Sequence, residues 1–236
     1  MPLDDVQLNP HARIYHHKMG AERQPVLIID DFLLNPDALI EHACRCNFAR
    51  EKKLYPGHRA EAPDVYTQAL RSALPQLLSR VFDTRPGDIN AAESSYSLVT
   101  QAPETLQMLQ RLPHFDSLNG RELASVYFLC NRDSERYGGT AFYRHRATGF
   151  ESVDSTRIKT YSRSVEDQLR DGKAPAAGYI YGDTELYQQI DQFAARFNRL
   201  ILYRCTSLHS GLIDSEFDFS RDPANARLSI NTFLVG

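Results

Sequence analysis

Two histidines and an aspartate carry the most chemistry in this sequence. His114 and Asp116 stand two residues apart in His-Phe-Asp, and a distant His209 follows in Ser-Leu-His-Ser-Gly. Side chains alternate between faces along a strand, so His114 and Asp116 project one way while Phe115 points into packing. One short strand then offers an imidazole and a carboxylate. A second imidazole from His209, at a strand-to-turn junction, completes a facial triad that leaves coordination positions open on an Fe(II) ion. Open positions of that kind suit oxygen chemistry. Near the C-terminus, Arg227 and Ser229 share one face of a run that includes Leu228, Ile230, Phe233 and Leu234. A guanidinium in such a run needs a desolvated partner, and a carboxylate gripped bidentately beside a hydroxyl supplies one.

The elements that must position these groups can be read from patterning. An apolar run at 25–33 ends in acidic residues, after which Asn35 and Pro36 form a helix start signal, predicting a helix over 36–48. A second helical stripe, Tyr66, Leu70, Leu74, Leu77, Leu78 and Val81, spans 64–82, with Pro75 set to kink or divide it. From about residue 94 the texture changes to short apolar runs between polar turns, predicting strands at 94–99, 122–130, 140–146, 200–205 and 227–235. Within an insert at 151–198, Asp183 reads as the cap of a helix carrying Leu186, Ile190, Phe193 and Phe197. The expectation is one domain over 1–236: a helical part at 1–93, then a β core at 94–236.

Composition narrows the function. The 236 residues are 42% hydrophobic and 24% charged, enough for a sizeable core and without the bias of a disordered chain. A net charge of −3 with no run of Lys or Arg lacks the footprint of a nucleic-acid binder. No apolar stretch is long enough to span a bilayer, and residues 1–5 lack a signal-peptide pattern, so a cytoplasmic protein with no membrane partner is expected. Cys44, Cys46, Cys130 and Cys205 are too few and too irregular for a disulfide framework. There is no nucleophile elbow, no phosphate-cradling glycine loop and no dinucleotide fingerprint.

With these residues in order, the chain resembles the Fe(II)/2-oxoglutarate-dependent dioxygenases, most nearly their prolyl 4-hydroxylase-like branch. The pattern is His114/Asp116, then Gly138-Gly139-Thr140-Ala141-Phe142, then His209, then Arg227/Ser229. The resemblance implies a mainly β fold, a double-stranded β-helix or cupin-like jelly roll, with helices from the N-terminal third packed on one sheet. It implies that His114, Asp116 and His209 hold the metal, that Arg227 and Ser229 take the distal carboxylate of 2-oxoglutarate, and that Tyr127 adds a hydroxyl to that co-substrate. It also implies O2 as oxidant and succinate as product. Members that halogenate have a small residue in place of the carboxylate; Asp116 is present, so the implied outcome is hydroxylation of an unactivated C–H bond in a peptide or protein side chain or a free amino acid. His209 and Arg227 lie 18 residues apart, further than is usual in the family, with an acidic turn at 214–225 between them.

Other readings stay open at this point. The same triad suits a zinc hydrolase, and a jelly roll can be a non-catalytic binding module. His145, in Tyr-Arg-His-Arg, is a rival ligand, and Tyr127 a rival core tyrosine. Arg59, after the Pro56-Gly57 turn, together with Arg144 and Arg146, could form a positive rim that favours a carboxylate-bearing small-molecule or peptidyl substrate.

Overall fold

The computed structural model describes residues 6–51, 54–85, 87–130, 132 and 137–236; residues 1–5, whose lack of a signal pattern entered the reading above, lie outside them. In chain order the elements are β1 (Arg13–Met19), β2 (Gln24–Asp30), α1 (Pro36–Ala43), β3 (Ala49–Arg50), β4 (Gly57–Glu61), α2 (Asp64–Ala73), α3 (Pro75–Phe82), β5 (Ala91–Val99), β6 (Leu123–Phe128), β7 (Gly139–His145), α4 (Ile158–Arg170), β8 (Tyr187–Ala194), β9 (Arg199–Arg204), β10 (His209–Leu212) and β11 (Leu228–Val235), with two short 3-10 turns between β5 and β6.

Two antiparallel sheets face each other. The large one runs β1-β2-β9-β6-β11-β5-β4-β3, the small one β10-β7-β8. Period-two alternation in β6 shows how one strand serves two cores. Leu123 and Tyr127 point outward, where Leu39 of α1, Tyr66 and Leu70 of α2 and Leu78 of α3 cover the large sheet. Ala124, Val126 and Phe128 point inward, against Phe142 of the small sheet, Ile201 and Tyr203. A third cluster lies behind the small sheet, where Tyr161 and Val165 of α4 pack on Tyr143 and Tyr187. The mainly β, jelly-roll architecture with N-terminal helices on one sheet is therefore as expected, and Pro75 does divide the second helix into two.

Four details differ from the sequence reading. The first 93 residues are not only helical: they also supply β1 to β4, which lie toward the two edges of the large sheet. The helix begun at Pro36 stops at Ala43, short of residue 48. The segment read as a helix after Asp183 is strand β8, and Asp183 accepts from the backbone of Gln189 and from Arg146. A bulge explains that misreading. Phe142 opposes Asp191 and Tyr143 opposes Gln189, so Ile190 is an extra residue that breaks the two-residue alternation. Ile190 and Phe193 then face the inter-sheet core while Tyr187 faces α4, which mimics helical spacing. The insert's helix is α4, whose Ile158, Tyr161, Val165 and Leu169 form the buried stripe.

Two buried arginines cross between the sheets to the same rung. Arg199 donates to the carbonyl of Ala194 (3.1 Å) and Arg227 to that of Gly139 (2.8 Å). Gly139 and Ala194 stand opposite each other in the β7–β8 pair. Here the backbones of β7 and β8 come together so closely that position 139 needs glycine, since a Cβ there would lie 2.0 Å from the Phe193 carbonyl oxygen.

Candidate metal and co-substrate site

His114, Asp116 and His209 converge. Their ligating atoms lie within 4.8 Å of one another, with Asp116 Oδ1 3.7 Å from His114 Nε2 and Asp116 Oδ2 3.5 Å from His209 Nε2. Backbone pairing creates this convergence. His114 N donates to the His209 carbonyl (2.9 Å) and His209 N to that of His114 (2.8 Å), and Asp116 N reaches the Cys205 carbonyl at 2.8 Å. The expected strand at 114–116 is only this single bridge, but the three residues His114, Phe115 and Asp116 suffice to aim both ligand side chains inward. Phe115 points the other way, edge-on to Tyr161 of α4.

The donor chemistry fits a divalent metal. His209 Nδ1 lies 2.9 Å from the Ser207 carbonyl; a carbonyl only accepts, so the proton sits on Nδ1 and Nε2 presents its lone pair to the site. His114 is half exposed yet stands deep in the concavity. Loss of solvent first, and the His209 ring second, push its pKa down to about 4 against the pull of Asp116. Near neutral pH both groups suit coordination: an uncharged imidazole at His114 and a fixed tautomer at His209.

Arg227 is buried, 6% exposed, and among the described residues it donates to the carbonyls of Tyr137 (3.1 Å) and Gly139 (2.8 Å). Among the described residues no carboxylate lies within ion-pair distance of it. Ser229 shares the inward face, its hydroxyl donating to Asn231 Oδ1 at 3.1 Å. The cation of Arg227 acts on three tyrosines, Tyr55, Tyr179 and Tyr203. The insert at 214–225 lies at this end of the site: Phe217 and Phe219 pack on Tyr137 and Tyr179.

Tyr127 does not join this site. It points to the helical side, stacks on Tyr66 and donates to Asn198 Oδ1 at 2.6 Å. Strand parity is the reason: Tyr127 pairs with Ile230, which faces the helices, whereas Ser229 pairs with Phe128 on the inner face. The tyrosine that does face the triad is Tyr203, missed in the sequence as one more apolar residue of β9. Its ring lies 4.7 Å from that of His209. Burial, followed by the Asp116 carboxylate, pushes its pKa well up against the offsetting charge of Arg227, so the hydroxyl stays protonated.

The expected positive rim is also corrected. Arg144 donates from Nε and Nη2 to one oxygen, Oε1, of the buried Glu151, and from Nη1 to Gln188. Arg146 is taken by Asp183 and the Thr184 carbonyl. Neither guanidinium is free for substrate. Arg59 does face inward, in register with Ser97, which in turn pairs with Ser229. His145 is a satisfied core histidine between Thr148 and Gln168. Two surface depressions, one beside Lys159 and Arg163 on α4 and one between Asp83 and Arg204, involve none of the site residues.

Comparison with known proteins agrees with this fold. A family model described as a family of unknown function (DUF6445) matches residues 10–234. No curated protein matches the sequence. Among solved structures, HygX from Streptomyces hygroscopicus with iron bound aligns at a TM-score of 0.53 and 11% identity, over 91% of this chain and 83% of that one. HygX with nickel and 2-oxoglutarate bound aligns at 0.51 and 11% identity, over 91% and 84%. A prolyl-4-hydroxylase of Pseudomonas putida aligns at 0.40 and 11% identity, over 91% and 89%, a likeness too weak to argue from.

Proposed function

This chain belongs to DUF6445, a family of unknown function, and from its own residues we propose an Fe(II)- and 2-oxoglutarate-dependent oxygenase that hydroxylates an unactivated C–H bond of an amino-acid or peptidyl substrate. The observation that carries the proposal is the convergence of two imidazoles and one carboxylate in the cleft between two sheets. His114, Asp116 and His209 would hold the metal as a facial triad. Bound there with 2-oxoglutarate, iron supplies the oxidative decarboxylation that drives oxidation of a substrate C–H bond.

The protein's own part is binding and orientation. Arg227 offers its remaining donor edge to the distal carboxylate of 2-oxoglutarate, with the Ser229 and Tyr203 hydroxyls beside it. The inner aromatic shell of Phe128, Phe142 and Tyr203 limits water around the reacting centre. Arg227, buried and with no carboxylate at ion-pair distance among the described residues, favours this reading over a zinc hydrolase, which has no need of a second, desolvated cation facing its metal. Four free thiols accord with a reducing, cytoplasmic setting, and no helix among the described residues is long and apolar enough to cross a membrane.

The test is an anaerobic titration of the protein with Fe(II) and then 2-oxoglutarate, watched for the visible metal-to-ligand charge-transfer band. The expected result is a band that saturates at one equivalent and is lost in His209→Ala. Tight zinc binding with no such band would put the hydrolase reading first.

A further inference from the structure

Arg59 is the third arginine facing this cleft, and among the described residues it has no full partner. Its guanidinium lies over the ring of Tyr55, 4.2 Å from the centroid. Glu51 Oε2 lies 3.7 Å from Nη1, the long end of ion-pair distance. Nε is buried and makes no hydrogen bond. Tyr55, beside it, is buried, with Ser97 the side chain nearest to partnering its hydroxyl. A donor cut off from water and left unmade costs free energy, so an acceptor for it belongs to the working state of the protein. Arg59 is close enough to the triad for its charge to act on His114.

Resting on the oxygenase reading, we propose that the substrate carries a carboxylate, which docks on the Nε–Nη2 edge of Arg59 and so hangs the rest of the molecule over the His114 side of the triad. The planar fork matches a carboxylate's two oxygens. Glu51 at the opposite corner suits a single negative charge better than a dianion such as phosphate. Arg50, directly opposite His58 in the β3–β4 pair, and Arg221 add positive charge near this end of β4, and neither forms an ion pair among the described residues. In a protein of net charge −3, this concentrates positive potential at one end of the site and draws anions there.

The experiment is a fluorine NMR titration with 4-fluorobenzoate and its neutral counterpart 4-fluorobenzamide, on anaerobic protein loaded with Fe(II) and saturating 2-oxoglutarate. The wild type should bind the acid in preference to the amide. Arg59→Gln should weaken acid binding by roughly ten- to a hundredfold, as expected for a charge-assisted pair, and erase the preference. Arg59→Lys, which keeps the charge without the fork, should retain part of it, and both variants should keep the wild-type affinity for 2-oxoglutarate. Equal binding of acid and amide by the wild type, full preference in Arg59→Gln, or a parallel loss of 2-oxoglutarate binding would overturn the proposal. If the protein binds neither Fe(II) nor 2-oxoglutarate, the oxygenase reading fails instead. The same titration on the metal-free Arg227→Gln protein, which lacks the other anion site, then still decides the role of Arg59.

Discussion

At the scale of single residues, two tyrosines separate folding from binding. Tyr203 looks into the cleft between His209 and the charge of Arg227, while Tyr127 looks out to the helices and serves Asn198. Tyr203→Phe should therefore weaken 2-oxoglutarate binding by about tenfold, one hydrogen bond to a charged group, and leave the unfolding midpoint almost unchanged. Tyr127→Phe should do the reverse, lowering stability by about 1 kcal/mol at unchanged co-substrate affinity. Calorimetric titration and denaturant unfolding of both variants check this; a co-substrate defect in Tyr127→Phe would return the role to that residue. Arg227→Gln should be the more severe binding variant, about 2–5 kcal/mol for removing one member of a buried charge pair. The triad and Arg227 stood out in the sequence because each is a polar group whose surroundings demand a partner. Tyr203 did not, because a tyrosine in a buried strand looks the same whichever face it takes.

Among the elements, the connections are held by one residue that patterning alone does not reveal. Asn198, at the turn from β8 into β9, has a left-handed backbone (φ 61°). Its side chain accepts from the Leu33 backbone and the Tyr127 hydroxyl and donates to the Leu33 carbonyl. It thereby fixes the exit of β2 against β6 and β9. Asn198→Ala should cost about 2–4 kcal/mol, from unmet buried hydrogen bonds and backbone strain together. Asn198→Gly should recover about 1 kcal/mol of that by relieving the strain alone. Denaturant unfolding that finds less than about 1 kcal/mol for the alanine variant would show that the turn holds itself. Strands β6, β9 and β11 were legible as apolar runs, and β5 and β7 by shorter apolar stretches, Leu98 and Val99 in the one and Ala141 to Tyr143 in the other. β8 was hidden by the bulge at Ile190, β1 by its exposed, polar edge position, and β10 by having only four residues.

For the molecule as a whole, the Asp30–Arg199 pair links stability to pH. Burial alone would raise the Asp30 pKa, but the hydrogen bonds and charge of Arg199, at 2.5 and 2.9 Å, hold it below its ordinary value. A depressed carboxylate contributes stability that is fully present above its unfolded pKa, about 3.9, and is lost as pH falls through the folded one. Asp30→Asn, which strands the buried Arg199, should therefore unfold at a lower temperature than wild type at pH 7, and the gap should close progressively below about pH 4. A gap that stays constant down to pH 2 would rule out this linkage. The rung that Arg199 grips is the rung that Arg227 grips, and this bears on the co-substrate. An arginine side chain ordinarily gives up about 2 kcal/mol of rotamer freedom when it is immobilised. Arg227 has already been immobilised by folding, through the Tyr137 and Gly139 carbonyls, so a ligand that meets it finds the fork set. A fork that cannot swing also fixes how far the anchor stands from the three metal ligands. On the proposed reading the cleft is a ruler, and it selects a diacid by the length of its carbon chain.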